Sequence, residues 1–199
     1  MRIMNIEISR ATRHDTPVLR HLYELYSYDF SVYTRVDVDP AGRYTDNAFL
    51  TDYWRNPRWS GYLVRADGNL AGFAWVLETT LFRPEDVQAL DLDKETDEET
   101  WFLGDEPHHL IEEFFVMRKY RLKGIGEYVA CHLFDLFPGI WEVSEMVENT
   151  PAQAFWRKVI DRYTGGQFVE VDLDTELWHG PVQVFRSATK DQGPTTKDK

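Results

Sequence analysis

Residues 116–134, VMRKYRLKGIGEYVACHLF, place four cations, Arg118, Lys119, Arg121 and Lys123, just ahead of Gly124 and Gly126 in a chain of formal net charge -12. The stretch passes from strand-like apolar residues through the glycines into a helix-like pattern. A strand, a glycine-containing loop and a helix N-terminus together make an anion site, because the first helical amides are unpaired and the helix dipole is positive there. The competing reading is a basic turn that only starts a helix. A P-loop requires G-x-x-x-x-G-K-[ST], and neither glycine is followed by Lys-Ser or Lys-Thr. A dinucleotide fingerprint fits Gly124 and Gly126 but finds Val129 in its third position. The remaining pattern, R-x-x-G-x-G, is met by Arg121, Gly124 and Gly126.

The elements that must hold this loop can be read from periodicity. Residues 3–9 alternate as a first strand, and Asp15-Thr16-Pro17 supplies an N-cap with proline in the first turn. Val18, Leu19, Leu22, Leu25 and Tyr26 predict a helix to about Ser27; the Asp-, Pro- and Gly-containing stretch after it reads as a loop, and a short helix is expected around 47–54. Residues 61–66 and 70–79 read as a hairpin turning at Asp67-Gly68-Asn69. The acidic run 83–107 reads as a solvated connection; DLDKETDEET lacks the central glycine and ordered oxygen ligands of a calcium loop. Then follow HLIEEFFVM as strand, GIGEYVACHLFDLF as helix, IWEVSEMV as strand, TPAQAFWRKVIDRY as helix, and QFVEVDL and VQVFR as closing strands. One domain over 3–187 is expected, with 188–199 a disordered tail.

The single cysteine, Cys131, excludes an internal disulfide framework and suits a reducing compartment. With no apolar leader and no run of the ~20 apolar residues that span a bilayer, a cytoplasmic protein is expected. The excess of 34 acidic over 22 basic residues argues against nucleic acid or an anionic membrane as partner. Cys131 sits mid-helix with no partner at a spacing that lowers its pKa, so core packing is expected of it rather than nucleophilic catalysis. Adjacent strand residues such as His108 and His109 point to opposite faces, so no metal site is expected.

The loop and its setting resemble the GNAT superfamily of acyl-coenzyme-A-dependent N-acyltransferases. EEFFVMRKYRLKGIG is similar to the strand and loop of its polyamine-type members, and Asn149-Thr150-Pro151-Ala152 resembles the N-x-x-A opening the helix after the next strand. The resemblance covers roughly residues 110–160. It implies an α/β (α+β) GNAT fold: a mixed, mostly antiparallel sheet of six or seven strands flanked by helices, with strands four and five splayed. It implies acetyl-CoA as cosubstrate, with Val116 and Met117 pairing with the pantetheine arm through their backbones. Arg118, Arg121, Leu122, Lys123, Gly124, Ile125, Gly126 and Glu127 would surround the phosphates, and Asn149, Ala152 and Trp156 would contribute from the later helix.

Acyl transfer to an amine first needs the amine neutral. An alkylamine with a pKa of ~10.4 costs about 4.6 kcal/mol to deprotonate at pH 7, so a general base is the heavier requirement. Glu112 and Glu113 lie on the strand leading into the loop; the resemblance assigns the base to Glu112, and alternation leaves one of the pair facing the acceptor. Departure of the thiolate unprotonated, with a pKa of ~8.5, is about 2 kcal/mol uphill at pH 7, so less is at stake for a general acid. Family members often place a tyrosine seven residues after the asparagine; here Trp156 stands there, and an indole N–H cannot serve as general acid. Tyr120, Tyr128 or bulk water remain for that task.

On the acceptor side, Tyr23, Tyr26, Tyr28, Asp29, Phe30 and Tyr33 gather in sequence. Tyr28, Asp29 and Phe30 are candidates to hold a small amine through ring faces and an ion pair, against the reading that the rings only pack the helix on the sheet. The expectation is an acetyltransferase acting on a small primary amine, cationic or neutral, by direct attack. The alternative is a coenzyme-A-binding module with little catalysis, motivated by Trp156. A homodimer stays open.

Overall fold

The computed structural model describes residues 4–44, 49–82 and 106–187. The chain divides into two compact units, one built from Met1–Glu78 with Ile111–Val129, the other from Thr79–Leu110 with Ala130–Lys199.

In the first unit, strand β1 (Ile6–Arg10) runs antiparallel to β2 (Trp59–Ala66), with Ile6 opposite Ala66 and Arg10 opposite Tyr62. Strand β2 returns as β3 (Asn69–Leu77) through Asp67 and Gly68, whose φ angles of 49° and 78° both fall in the left-handed region. Two such residues in a row turn the chain with a twist that matches the flanking strands, as the Asp-Gly pair predicts. The far half of β4 (His108–Val116) completes this unit's part of the sheet beside β3.

Helix α1 (Thr16–Thr34) lies on this sheet and continues seven residues past the expected end at Ser27. Tyr26, Phe30 and Tyr33 carry its apolar face onward, with ring centroids 4.4 Å apart for Tyr26–Phe30 and 6.0 Å for Phe30–Tyr33. Packing of that face overrides the modest helix propensities of Ser, Asp and Val. The helix stops at Arg35, whose φ is 56° and whose amide bonds to the Ser31 carbonyl. At the other end Asp15 makes no side-chain cap on α1; its carboxylate accepts from the Thr12 amide at 2.8 Å and hydroxyl at 2.9 Å. Helix α2 (Phe49–Tyr53) stops one residue before the expected end at Trp54, and residues 45–48 lie outside the described ones. Leu19, Leu22 and Tyr26 of α1 share one core with Leu50, Leu63, Phe73, Trp75 and Phe115.

In the second unit, the first three residues of β4 pair in parallel with β5 (Ile140–Ser144), and the pairing ends at Leu110 opposite Glu142. Strand β7 (His179–Arg186) is antiparallel both to β5 and to β6 (Val169–Asp174). Helix α4 (Thr150–Thr164) belongs here, as do residues 130–136 of helix α3 (Ile125–Leu136). One core gathers Leu81, Phe82, Leu110, Ile140 and Val184. Phe134, Trp141 and Phe185 pack as another, with centroids 4.8–4.9 Å from Phe134. Glu142 is fully buried and accepts from the Leu81 amide at 2.7 Å and meets His108 Nδ1 at 2.8 Å.

Because β4 is common to both units, the strands form a single seven-stranded mixed sheet in the order β1-β2-β3-β4-β5-β7-β6. The expected segment 83–107 lies outside the described residues up to 105, as does the tail 188–199. No helix among the described residues is long and apolar enough to cross a membrane.

Gly72 is where β3 meets the loop-bearing end of β4. A Cβ there would stand 1.9 Å from the Phe115 carbonyl oxygen, a backbone atom that cannot swing aside. Gly72→Ala is expected to cost ~1–3 kcal/mol or more by forcing the two strands apart. Urea unfolding of the variant checks this, an unchanged midpoint being the contrary result.

Candidate active site

Within the first unit, β4 ends in a tight series of backbone bonds. The Met117 amide donates to Ala71 O at 2.8 Å, and its carbonyl accepts from the Tyr120 amide at 2.8 Å. A 3-10 turn spans Arg118–Tyr120. Leu122 follows with φ 59° and a fully exposed side chain, then Gly124 with φ 78° and no atom within 4 Å of a would-be Cβ. A leucine in the left-handed region costs roughly 1–2 kcal/mol, which glycine at 124 avoids.

Helix α3 opens at once, with the Tyr128 amide bonded to Gly124 O at 3.0 Å and buried Ile125 anchoring its first turn. The amides of Ile125, Gly126 and Glu127 therefore precede the first intrahelical bond, the position at which a helix offers its N–H groups to an anion. That donor set, open on the Gly124 side, suits a diphosphate. An amide donates one bond, so Met117's is not free for a pantetheine arm. The Val116 carbonyl accepts from Arg121 Nε at 2.6 Å and keeps a second lone pair.

All four cations of the loop are already held. Arg121 also bonds to Asp29 Oδ2 and lies 5.8 Å over the Phe115 ring; Arg118 Nε reaches Asp29 Oδ1 at 2.9 Å. Lys123 Nζ donates to Lys119 O at 2.7 Å, and both lysines stand over the Tyr120 ring.

Strand alternation sends Glu113 and Phe115 toward α1 and Glu112 to the other face. Glu113 accepts from the Tyr23 hydroxyl at 3.2 Å. Burial pushes its pKa up to about 7; the neighbouring Glu112 adds to the rise, and the Tyr26 and Tyr23 hydroxyls offset part of it. Burial also raises Glu112, and it keeps the Tyr23 and Tyr26 hydroxyls protonated well beyond their ordinary range. Tyr23 is fixed in turn by stacking on Trp75, 5.5 Å between centroids at 7°.

The proposed acceptor residues separate. Tyr28 is exposed, 6.2 Å from the Tyr44 ring; Phe30 packs on the α1 core; Asp29 is bound to the two arginines.

In the second unit, Asn149 caps α4, its side chain accepting from the Ala152 amide at 3.3 Å. Trp156 is buried, 5.0 Å from Phe155 and 6.4 Å from Phe134, and Tyr163 donates to Asp135 at 2.9 Å. His109 meets Pro138 O at 3.2 Å while His108 meets Glu142, so the two rings go separate ways. Among the described residues no group of three or more His, Cys, Asp or Glu is placed to hold a metal ion.

Sequence reading had not singled out Glu145. It is buried, accepts from Gln183 Nε2 at 3.1 Å, and leaves Oε1 without a hydrogen-bond partner. Gln183 also donates to Glu170, which pairs with Arg157 at 2.7 Å. Its only signal in sequence is a carboxylate at the end of an apolar strand.

A model of the acetyltransferase (GNAT) family matches residues 19–160, and the chain belongs to that family. It is an acetyltransferase by that membership. No curated protein matches the chain significantly. Among solved structures, the PaiA N-acetyltransferase of Thermoplasma acidophilum in complex with coenzyme A is similar at a TM-score of 0.57 and 12% identity, over 92% of this chain and 99% of that one. An aminoglycoside acetyltransferase from an uncultured soil metagenomic sample, in complex with sisomicin, gives 0.53 and 13% over 77% and 86%. The ribosomal-protein-S18-alanine N-acetyltransferase of Escherichia coli gives 0.50 and 14% over 95% and 99%. At these identities the likeness is one of fold.

Burial raises Glu145 from 4.5 to about 8, so the folded chain keeps its proton at neutral pH. The unfolded chain releases that proton above its own lower pKa, so stability from the neutral form is full below about 4.5 and is lost as pH rises toward 8. Glu145→Gln is expected to flatten this dependence and to stabilise the protein at pH 8.5 relative to pH 5, by on the order of a few kcal/mol. Urea midpoints at the two pH values measure it; parallel shifts of variant and parent would contradict it.

Proposed function

We propose that the chain transfers the acetyl group of acetyl-CoA to the primary amine of a small acceptor by direct attack, with Glu113 receiving the amine's proton. Acetyl-CoA supplies the acetyl thioester. The amides of Ile125, Gly126 and Glu127 hold its diphosphate, Arg118, Arg121 and Lys123 add positive charge, and Val116 offers its backbone to the pantetheine arm. Leu122 flanks the phosphate loop. Asn149, Ala152 and Trp156 are carried over from the family resemblance alone.

The observation that carries the reading is Glu113, half-buried on the strand that leads into the loop, with a pKa of about 7 against 4.5 for an ordinary glutamate. Such a carboxylate is charged in about half the molecules at pH 7, yet it binds a proton roughly 300-fold more tightly than an unperturbed one. That serves a reaction whose main cost is deprotonating the amine. Tyr23, kept neutral, donates to the carboxylate and fixes its aim. Glu112, on the other face, is the second candidate. Attack of the free amine on the thioester carbonyl forms the C–N bond and breaks C–S, and the departing thiolate takes its proton from solvent. Trp156 offers no acid, which its burial suits.

The polyamine-like strand and loop, EEFFVMRKYRLKGIG, and the net charge of -12 support a cationic acceptor. A coenzyme-A-binding module without catalysis is the second reading.

Thiol release from acetyl-CoA, followed across a panel of amines, tests the proposal. Tight binding of acetyl-CoA with no amine accelerating release would leave only the second reading. With an accepted amine, Glu113→Gln is expected to lower kcat at least ~100-fold and to abolish the rise of kcat/KM with pH around 7, while Glu112→Gln does less. Full activity and an unchanged pH profile in Glu113→Gln would refute the base.

A further inference from the structure

Asp29 looked by type and position like an acceptor-binding carboxylate. Its surroundings say otherwise. The side chain is only 14% exposed, and each of its oxygens is taken by a guanidinium from the phosphate loop, about 90 residues away in sequence. Arg118 reaches Oδ1 through both Nε and Nη2, at 2.9 and 2.8 Å; Arg121 reaches Oδ2 through Nη2. Arg121 is fastened twice more, through Nε to the Val116 carbonyl and by its plane over Phe115.

We infer that Asp29 is a positioning residue for the acyl-CoA loop, holding Arg118 and Arg121 in place before the cosubstrate arrives. This rests on the proposal that the loop binds acetyl-CoA. A guanidinium has five N–H donors in a rigid fork. Arg121 spends two of them on Val116 and Asp29, and Arg118 spends its Nε–H on Asp29 with Nη2 standing 2.8 Å from the same oxygen, so each keeps donors for a phosphate.

Asp29 has two opposed electrostatic effects. Its charge lowers the positive potential of the loop, which weakens attraction to phosphate. Its hydrogen bonds remove the rotamer freedom that two long arginine side chains would otherwise lose on binding. At an exposed loop the first effect is screened by salt, whereas the second is not. Positioning therefore dominates at physiological ionic strength. An ammonium acceptor, for its part, would have to displace an arginine to reach Asp29.

The test has two readouts on the full chain. In the ligand-free protein, the Nε–H signal of Arg118 in nitrogen-15 spectra is expected to be protected from solvent exchange and to lose that protection in Asp29→Asn, whereas that of Arg121, held by the Val116 carbonyl, stays protected. In titrations with coenzyme A, Asp29→Asn is expected to bind about tenfold more weakly, Asp29→Glu to recover part of the loss, and the acceptor KM and saturated kcat to stay within threefold. Asp29→Asn added to Arg118→Gln/Arg121→Gln should weaken binding no further. Binding by Asp29→Asn equal to or tighter than the parent's overturns the inference, as does an effect confined to the acceptor KM or one fully additive with the arginine changes. A parent protein that binds no coenzyme A overturns the functional reading instead, and the exchange protection then still reports whether Asp29 holds Arg118.

Discussion

Strand β4 has to satisfy two neighbours with one backbone, and its alternation distributes everything else. Its first three residues pair with β5, its later residues run beside β3, and the close approach at Gly72 and the Met117–Ala71 bond fix the point at which it turns into the loop. From that point the left-handed residues Leu122 and Gly124 lead the chain straight into the first turn of helix α3. The same alternation turns Glu113 and Phe115 toward α1 and Glu112 away. The order of strand, loop and helix is thus what places both the glycine loop at a helix start and a half-buried carboxylate in the first unit.

Helix α1 makes that arrangement specific to this chain. Its aromatic face stacks Tyr23 on Trp75 and sets Tyr26 against Phe115, and so holds hydroxyls beside Glu113. One turn further on, the same helix offers Asp29 to the loop arginines. A helix ending at Ser27 would have provided neither Asp29 nor the Phe30 contact. The basic cluster that stood out in an acidic chain is consequently an organised one, with Arg118, Arg121 and Lys123 bound by acceptors of their own unit and Lys119 over the Tyr120 ring.

The second unit follows a different logic, of buried polar groups. Glu142 is satisfied by the Leu81 amide and His108, whereas Glu145 keeps one oxygen without a partner and answers by retaining its proton. Trp156 belongs to this packing rather than to acid catalysis: its ring is buried beside Phe155 and Phe134. An amine acyl transfer tolerates the missing acid better than it would a missing base, because a thiolate leaves at lower cost than an ammonium is deprotonated.

The spacing of residues along the chain was enough to determine the seven strands, the main helices, the Asp67-Gly68 hairpin and the R-x-x-G-x-G loop with its Asn149 partner motif. Each of these depends on contacts a few residues apart or on conformations that only glycine adopts freely. Adjacent glutamates could be seen to face opposite ways, but which face carries α1 could not be read from them. The extent of α1, the pKa of Glu113 and the pairing of Asp29 with Arg118 and Arg121 were decided only by the tertiary structure. Their physical causes are desolvation, and packing between residues some ninety positions apart, to which no local pattern is sensitive.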